Sequence, residues 1–514
     1  MLRIGVDVGG TNTDAAILRD RQVLATVKRP TTEDITGGVI AALAAVIDAA
    51  RIPAAEVSAV MIGTTHFVNA LVQRRELSKV AILRLCGPAT RSLPPMVDWP
   101  DDLKAVVHGY SAMLPGGLEY DGSPIVDFEP EAVRAACVEI RALGLRSVAV
   151  SSVFSPVSTA HEDAARDIVQ QELPGVAISV SHEIGRIGLL ERENAAILNA
   201  CLRDLGKKSV AALAAALNGL GLKCPLYLTQ NDGTLMPADF AERYPVFTFA
   251  SGPTNSMRGA AFLSGAEEAI VIDIGGTTTD IGALSNGFPR DSSVEAEVAG
   301  VRTNFRMPDV FSFGLGGGSL VKQQPELSVG PLSVGFRLHT EALVFGGRQL
   351  TASDIAVAAG LAAFGDKTKV AHLDKDFVKR ALGWMRQRIE DAIDRVKLSA
   401  SDIPVILVGG GSVLIEGDLA GASEVIRPQH YQAANAVGAA IAQVSGEVDH
   451  VVPLDSHNRH SVLEAAKAEA TARATKAGAD PATIRIIDIE DLPLAYLPSN
   501  AARVRAKAVG ELLV

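Results

Sequence analysis

The chain has 514 residues, 48% hydrophobic and 21% charged, which supplies a large buried core and excludes intrinsic disorder. Its length suggests two to four domains at about 150 residues each. A net charge of −11 and 4% aromatic residues argue against binding along a nucleic-acid backbone or stacking on single strands.

Leu2 to Val8 reads as an apolar strand, without the basic-then-apolar pattern of a leader. Gly9-Gly10-Thr11-Asn12 is a turn, Asp14 to Leu18 a second strand, and Val23 to Val27 a third. A helix is predicted over 32–50, with Ile35, Val39, Ile40, Leu43, Val46 and Ile47 at helical spacing. Three strands in hairpin order are not a Rossmann start, where the helix follows the first strand. Strands are next predicted at Val148 to Val153 and Val176 to Val180, with a helix from His161 to Glu172 between them. A long helix follows from Glu191 to Leu217, interrupted at Gly206, and then a strand from Leu226 to Thr229. The most apolar stretch, Ser209 to Leu222, falls short of the about 20 residues of a membrane span, so a soluble cytoplasmic protein is expected. Cys86, Cys137, Cys201 and Cys224 have no metal-ligand spacing and read as buried thiols in a reducing compartment.

Ile270 to Leu284 then repeats Ile4 to Leu18 at a constant offset, with 8 of 15 positions identical and no gap. The second copy continues through the turn Asn286-Gly287 to a strand expected around Val294 to Val298. Gly314 to Ser319 reads as a turn rather than a ligand contact. Helical segments follow near 353–364 and 376–398. The strand Pro404 to Val408 opens into Gly409-Gly410-Gly411-Ser412. Ala433 to Val444 is predicted as a small-residue helix and Gly446 to Pro453 as a linker. Behind it a helix at Ser461 to Ala477 and a strand at Ile484 to Ile489 make a small α/β tail.

The repeated Asp-x-Gly-Gly-Thr-x-Thr-Asp turn carries the chemistry. Gly9, Gly10, Gly275 and Gly276 let backbone N–H groups wrap a polyphosphate, and Thr11, Asn12, Thr13, Thr277 and Thr278 add polar side chains. Asp7 and Asp273 end buried strands, where an unpaired carboxylate is costly; a hydrated Mg²⁺ bridging ATP phosphates is its natural partner. The alternative is a tight hairpin that needs glycine only for positive φ. Gly409, Gly410, Gly411 and Ser412 offer bare backbone to an adenine ring. On the substrate side, His66 is placed to orient or protonate a carbonyl, or else packs on Phe67. Asn69 and Ser251 leave the same strand ends. Glu191 and Asn194 share a helix face, or cap it. Asn231 and Asp232 are substrate candidates, or simply an Asx turn.

Two phosphate hairpins followed by an adenosine turn resemble the actin/Hsp70/sugar-kinase superfamily of ATPases. Within it, the blocks Ile62 to Leu71, Glu191 to Ala200, Gln230 to Met236, Ala250 to Pro253 and Val301 to Asn304 resemble the ATP-binding subunit of the hydantoinase/oxoprolinase family. The chain departs from that family in its short tail and in Val329 to Gly335. The resemblance implies an α/β fold of two RNase H-like lobes around a nucleotide cleft. The expected division is 1–185 and 186–446 for the lobes and 447–514 for an appendage. It also implies ATP-driven opening of a cyclic amide such as a hydantoin, 5-oxoproline or a lactam, with ATP and Mg²⁺ as cofactors. A second hydrolase subunit or a homo-oligomer is the expected partner, with no nucleic acid and no membrane. A small-molecule kinase and an ATP-gated remodelling factor are the competing readings.

Overall fold

The computed structural model describes residues 1–31, 35–292, 296–323, 326–454, 458–494 and 501–513. The chain opens with the antiparallel strands β1 (Leu2–Val8), β2 (Asn12–Arg19) and β3 (Gln22–Pro30), covered by α1 (Ile35–Ala50). The first residues of the helix predicted from 32 lie outside the described residues. Leu2, Ile4, Val6 and Val8 turn one face of β1 toward Val39, Leu43 and Val46 of α1. The other face carries Gly5 and Asp7. β4 (Ala59–Thr64) runs parallel beside β1 and leads into α2 (His66–Gln73).

A separate four-stranded parallel sheet follows, ordered β6-β5-β7-β8. Its strands are β5 (Val80–Gly87), β6 (His108–Pro115), β7 (Ser147–Ser152) and β8 (Ala177–Val180). Interleaved helices are α3 (Asp101–Val107), α4 (Pro130–Ala142) and α5 (Ala160–Glu172). α6 (Leu189–Gly219) then runs 31 residues without a break, correcting the interruption expected at Gly206. That glycine is where α7 (Ala238–Arg243) crosses: a Cβ there would lie 3.3 Å from the Glu242 carbonyl. β9 (Leu226–Thr229) and β10 (Leu235–Pro237) join the first-lobe sheet, and α8 (Ser251–Ser264) leads on toward the second lobe.

The second lobe starts with β11 (Ala269–Ile274) and β12 (Thr279–Ser285), paired in the register that β1 and β2 use. The expected third strand does not sit on β12. Residues 293–295 lie outside the described residues, and β14 (Ala296–Val298) pairs with β15 (Val301–Thr303) instead. β13 (Phe288–Pro289) and β16 (Val310–Phe313) flank β12. The hairpin of β17 (Ser319–Lys322) and β18 (Ser328–Ser333) follows. α9 (Leu338–Glu341), α10 (Ala352–Ala358) and α11 (Lys375–Val396) lead to β19 (Ile403–Val408) and β20 (Ala422–Ile426). From one edge the strands run β3-β2-β1-β4-β9 in the first lobe and β13-β12-β11-β19-β20 in the second. The two RNase H-like lobes therefore share one topology, as the sequence repeat predicts.

The expected boundaries at 185 and 446 are corrected by this topology. β9, beyond 185, belongs to the first-lobe sheet, and α6 enters the core beside it, whereas Met257, Ala260 and Ala261 of α8 pack on the second-lobe strands. The expected linker is β21 (Val444–Pro453), a strand of the first-lobe sheet. α13 (Arg459–Lys476), β22 (Arg485–Pro493) and β23 (Ala501–Gly510) extend that sheet to nine strands in the order β22-β23-β21-β10-β9-β4-β1-β2-β3. Its alternation explains why it is a strand. Val444 and Val448 are buried under α13, and Gly446 lets the helix approach, since a Cβ there would lie 2.2 Å from the Ala470 carbonyl. The opposite face carries Glu447, which meets Arg306 at 2.8 Å, and Asp449, which pairs with Arg503. Among the described residues no helix is long and apolar enough to cross a membrane.

α8 packs on the second-lobe sheet and α12 (Ala434–Ala440) on β2 of the first, and the two helices cross at glycines. A Cβ on Gly259 would lie 1.8 Å from the Ala434 carbonyl, and one on Gly438 would lie 1.8 Å from the Asn255 carbonyl. Backbone cannot yield as a flexible side chain does. Gly438→Val is expected to cost more than the about 1–3 kcal/mol of ordinary overpacking. Urea unfolding should show a midpoint far below that of the parent chain, or no folded protein.

Candidate functional site

A cleft of about 740 Å³ lies between the lobes, with the two glycine hairpins as facing walls. Each hairpin closes in the same way: Gly9 N–H donates to the Asn12 carbonyl at 3.0 Å and Gly275 N–H to the Thr278 carbonyl at 2.9 Å. Their tips meet, with the Thr11 and Thr277 hydroxyls 3.3 Å apart. Gly409, Gly410 and Gly411 form a third wall where β19 ends, and Gly409 has φ of +82°. Gly314 to Ser319 braces the second hairpin: Gly317 N–H donates to the Gly275 carbonyl at 3.0 Å and Gly318 N–H to the Gly276 carbonyl at 2.6 Å. Of this brace, Gly317 also lines the cleft.

Four carboxylates converge on the floor: Asp7, Asp14, Asp273 and Asp280. Asp7 accepts from Asn255 Nδ2 at 3.0 Å and from Asn435 Nδ2 at 3.1 Å. Burial pushes its carboxyl up from the ordinary 3.8 to about 6, against those hydrogen bonds and helped by the charges of Asp14 and Asp273. Asp273 accepts from Ser256 Oγ at 2.5 Å, and its carboxyl is raised by burial. Asp280 accepts from Ser312 and is pushed up to about 6 by burial and by Asp273 and Asp7. Asp14 is held by Lys28, with Nζ 2.6 Å from Oδ1.

A folded-state carboxyl raised from 3.8 to about 6 disfavours the ionised fold. Its stabilising contribution is complete below 3.8 and is lost as pH rises through about 6. Asp280→Asn keeps the acceptor for Ser312 and removes the charge. In metal-free, nucleotide-free protein it is expected to raise stability by on the order of 1–2 kcal/mol above pH ~6 and by nothing below pH ~4. Denaturant melts across that pH range check it; a gain equal at both ends would contradict it.

Among the expected site residues, Asp7, Gly9, Gly10, Thr11, Asn12, Asp273, Gly275, Gly276, Thr277, Thr278, Gly409, Gly410, Gly411 and Asn69 line this cleft. The others do not. Thr13 is buried within the β2 meander, 3.4 Å from the Thr31 hydroxyl, and the buried Ser412 side chain lies off the cleft wall. His66 turns into a second cavity, with Glu76 and Lys208, and burial lowers its pKa. Asn194 is spent on Trp99 Nε1 at 2.8 Å and the Arg302 carbonyl at 3.0 Å, a packing role at the α6 entrance. Glu191 stands beside Gly188 in the first turn of α6. Asn231 ties the Val246 carbonyl to Ala250 N–H. Asp232 bonds Lys507 of β23 at 2.5 Å; against the burial that raises it, Lys507 holds its carboxyl at about 2. Ser251 Oγ clamps both Thr64 N–H and the Thr64 carbonyl, fixing α8 to the end of β4.

Sequence reading left out several groups. Asp14 and Asp280 close the repeated motif itself, so the repeat marked them. Asn255, Ser256 and Asn435 come from the two crossing helices, and only the three-dimensional crossing brings them onto the carboxylates. Leu338, Phe345, Phe364, Val413 and Leu414 make an apolar end in the second lobe, where the Phe345 and Phe364 rings stack at 6.0 Å.

These residues fit a magnesium nucleotide. Gly10 and Gly410 have nothing within 4 Å of a built Cβ, so bare backbone faces open space. The buried carboxylates repel one another, and among the described residues lining the cleft Lys28 alone is Lys or Arg. Among the described residues no group of three or more His, Cys, Asp or Glu makes a protein-only metal site.

Comparison with known proteins decides the family. The model of the hydantoinase/oxoprolinase N-terminal region matches residues 3–173 and the hydantoinase/oxoprolinase model matches 192–366. The chain belongs to the hydantoinase/oxoprolinase family. This hydantoinase/oxoprolinase member is 28% identical over 389 residues to caprolactamase subunit alpha of Pseudomonas jessenii, covering 71% of this chain and 55% of that protein. It is 26% identical over 392 residues to the acetophenone carboxylase gamma subunit of Aromatoleum aromaticum, covering 70% and 53%. The chain thus spans about half the length of the curated relatives it matches. The structure of ATP-dependent caprolactamase from Pseudomonas jessenii superposes with a TM-score of 0.78 at 19% identity, over 99% of this chain and 88% of that one. Nucleotide-free acetone carboxylase gives 0.70 at 17%, over 100% and 88%. At such identities the likeness is one of fold, and it includes the C-terminal strands.

Proposed function

We propose that this chain binds Mg·ATP between its twin hairpins and serves as the ATP-binding subunit of a hydrolase that opens a cyclic amide. The observation that carries this is the meeting of the two Asp-x-Gly-Gly-Thr turns across one cleft, with four carboxylates beneath them. The likeness to a caprolactamase subunit supports the reaction class, and its designation as a subunit supports a second polypeptide. Bound Mg·ATP would supply a phosphoryl group to the carbonyl oxygen of the ring, making its carbon open to water. Asp7 and Asp273 would hold the metal from opposite lobes, each oriented by a side chain of the crossing helices. The hairpin backbones would grip the phosphates, Gly409 to Gly411 would pass beneath the nucleoside, and the Phe345–Phe364 end would take the base. Catalysis on this arrangement is positioning and charge neutralisation.

The test is ADP release by the chain with its partner in the presence of lactams and hydantoins. Ring-opened amino acid formed in step with ADP supports the reading. A stable phosphorylated product points instead to a kinase, and stimulation by a protein client alone points to remodelling.

A further inference from the structure

The first-lobe end of the cleft is built differently from the rest. Its wall comes from the start of α2, with Thr65, Val68 and Asn69, and from the start of α8, with Gly252 and Pro253. The two helices are joined there: Ser251 clamps Thr64, and a Cβ on Gly252 would lie 3.6 Å from the Thr65 methyl. Val68 and Pro253 give this end an apolar lining. Asn69, exposed and donating to Thr65 Oγ1 at 3.2 Å, supplies an amide that can both donate and accept. Among the described residues, none of these five wall residues is charged. Of all described residues lining the cleft, Lys28 alone is Lys or Arg, and Asp14 occupies it at 2.6 Å. His339 lies at the opposite, apolar end, 4.8 Å from the Phe345 ring.

Resting on the nucleotide reading above, we infer that the substrate bound beside Asn69 is an uncharged cyclic amide, and that a ring bearing a carboxylate is rejected. A carboxylate seated there would find no unengaged Lys or Arg among the described residues lining the cleft and would face the four carboxylates of the floor. Repulsion between like charges sharing one cleft outweighs the single neutral hydrogen bond a ring gains from Asn69. A neutral ring needs only apolar contact and one amide partner, which Val68, Pro253 and Asn69 provide.

A matched pair of probes separates the cases: 2-pyrrolidinone and 5-oxoproline share one ring and differ by the carboxylate. Calorimetry on the full chain loaded with Mg²⁺ and AMPPNP should show 2-pyrrolidinone binding at least about tenfold more tightly. Val68→Lys, at a half-buried position on this wall, should reverse the order by supplying the missing cation. Equal or tighter binding of 5-oxoproline to the parent chain would overturn the inference. So would binding of neither ring while AMPPNP binds. Failure of AMPPNP itself to bind would instead remove the nucleotide reading, and this inference with it.

Discussion

Asp7→Ala is expected to lower Mg²⁺-dependent ADP release by about a thousandfold or more while the chain stays folded. Asp7 is 5% exposed, its neighbours are carboxylates, and its carboxyl is pushed up to about 6, so without a cation it is a liability to the fold. The partners it would leave behind keep other bonds. Asn255 Nδ2 also reaches Thr229 Oγ1 at 3.1 Å, and Asn435 Nδ2 also reaches Asp14 at 3.0 Å. Removing the acid therefore strips the metal site while each amide nitrogen keeps one of its two acceptors. Asp273→Ala is expected to act in the same way from the other lobe, although Ser256 then loses its acceptor. Turnover is followed as ADP release and folding as a thermal melt. A melting temperature near that of the parent, together with lost turnover, fits the account. Turnover that survives both changes contradicts the metal assignment.

Gly10→Val is expected to weaken ATP binding at least about a hundredfold with little effect on stability. A Cβ built at Gly10 meets no protein atom within 4 Å, so valine would fill only the space reserved for phosphate. Its twin, Gly276→Val, behaves differently. There a Cβ would lie 2.5 Å from Thr11 Oγ1, so the side chain would push against the opposite hairpin. The pair separates two effects: Gly10→Val should lose affinity alone, and Gly276→Val should lose affinity and lobe closure together. Equilibrium binding of a fluorescent ATP analogue checks both. Unchanged affinity in Gly10→Val would remove the hairpin from the binding surface.

The repeat made the two-lobe fold legible, because Asp7 to Asp14 recurs with its glycines and threonines intact as Asp273 to Asp280. A hairpin is a local object, and its residues state its geometry. The strands of the tail were hidden for a physical reason. In β21 the charged face holds Glu447 and Asp449 against arginines from three other segments, so its alternation resembled a polar linker. The substrate-side candidates failed in a related way. Asn194, Asn231, Asp232 and Ser251 stand in distinctive blocks because they tie chain segments together around the cleft. A polar residue in such a block reads the same whether it holds a ligand or a loop. His66 faces away because α2 begins there, one residue after Thr65, whose side chain takes the cleft. The groups that orient the acids could not be read at all: Asn255 and Asn435 lie 180 residues apart and meet Asp7 only because Gly259 and Gly438 let two helices cross.

The most direct measurement is a crystal structure of the chain grown with Mg²⁺ and AMPPNP. The account predicts the triphosphate between Gly9–Thr11 and Gly275–Thr277, the metal within reach of Asp7 and Asp273, and the adenine over Gly409–Gly411. Nucleotide found elsewhere on the molecule, or a cleft that stays empty at saturating AMPPNP, would contradict it.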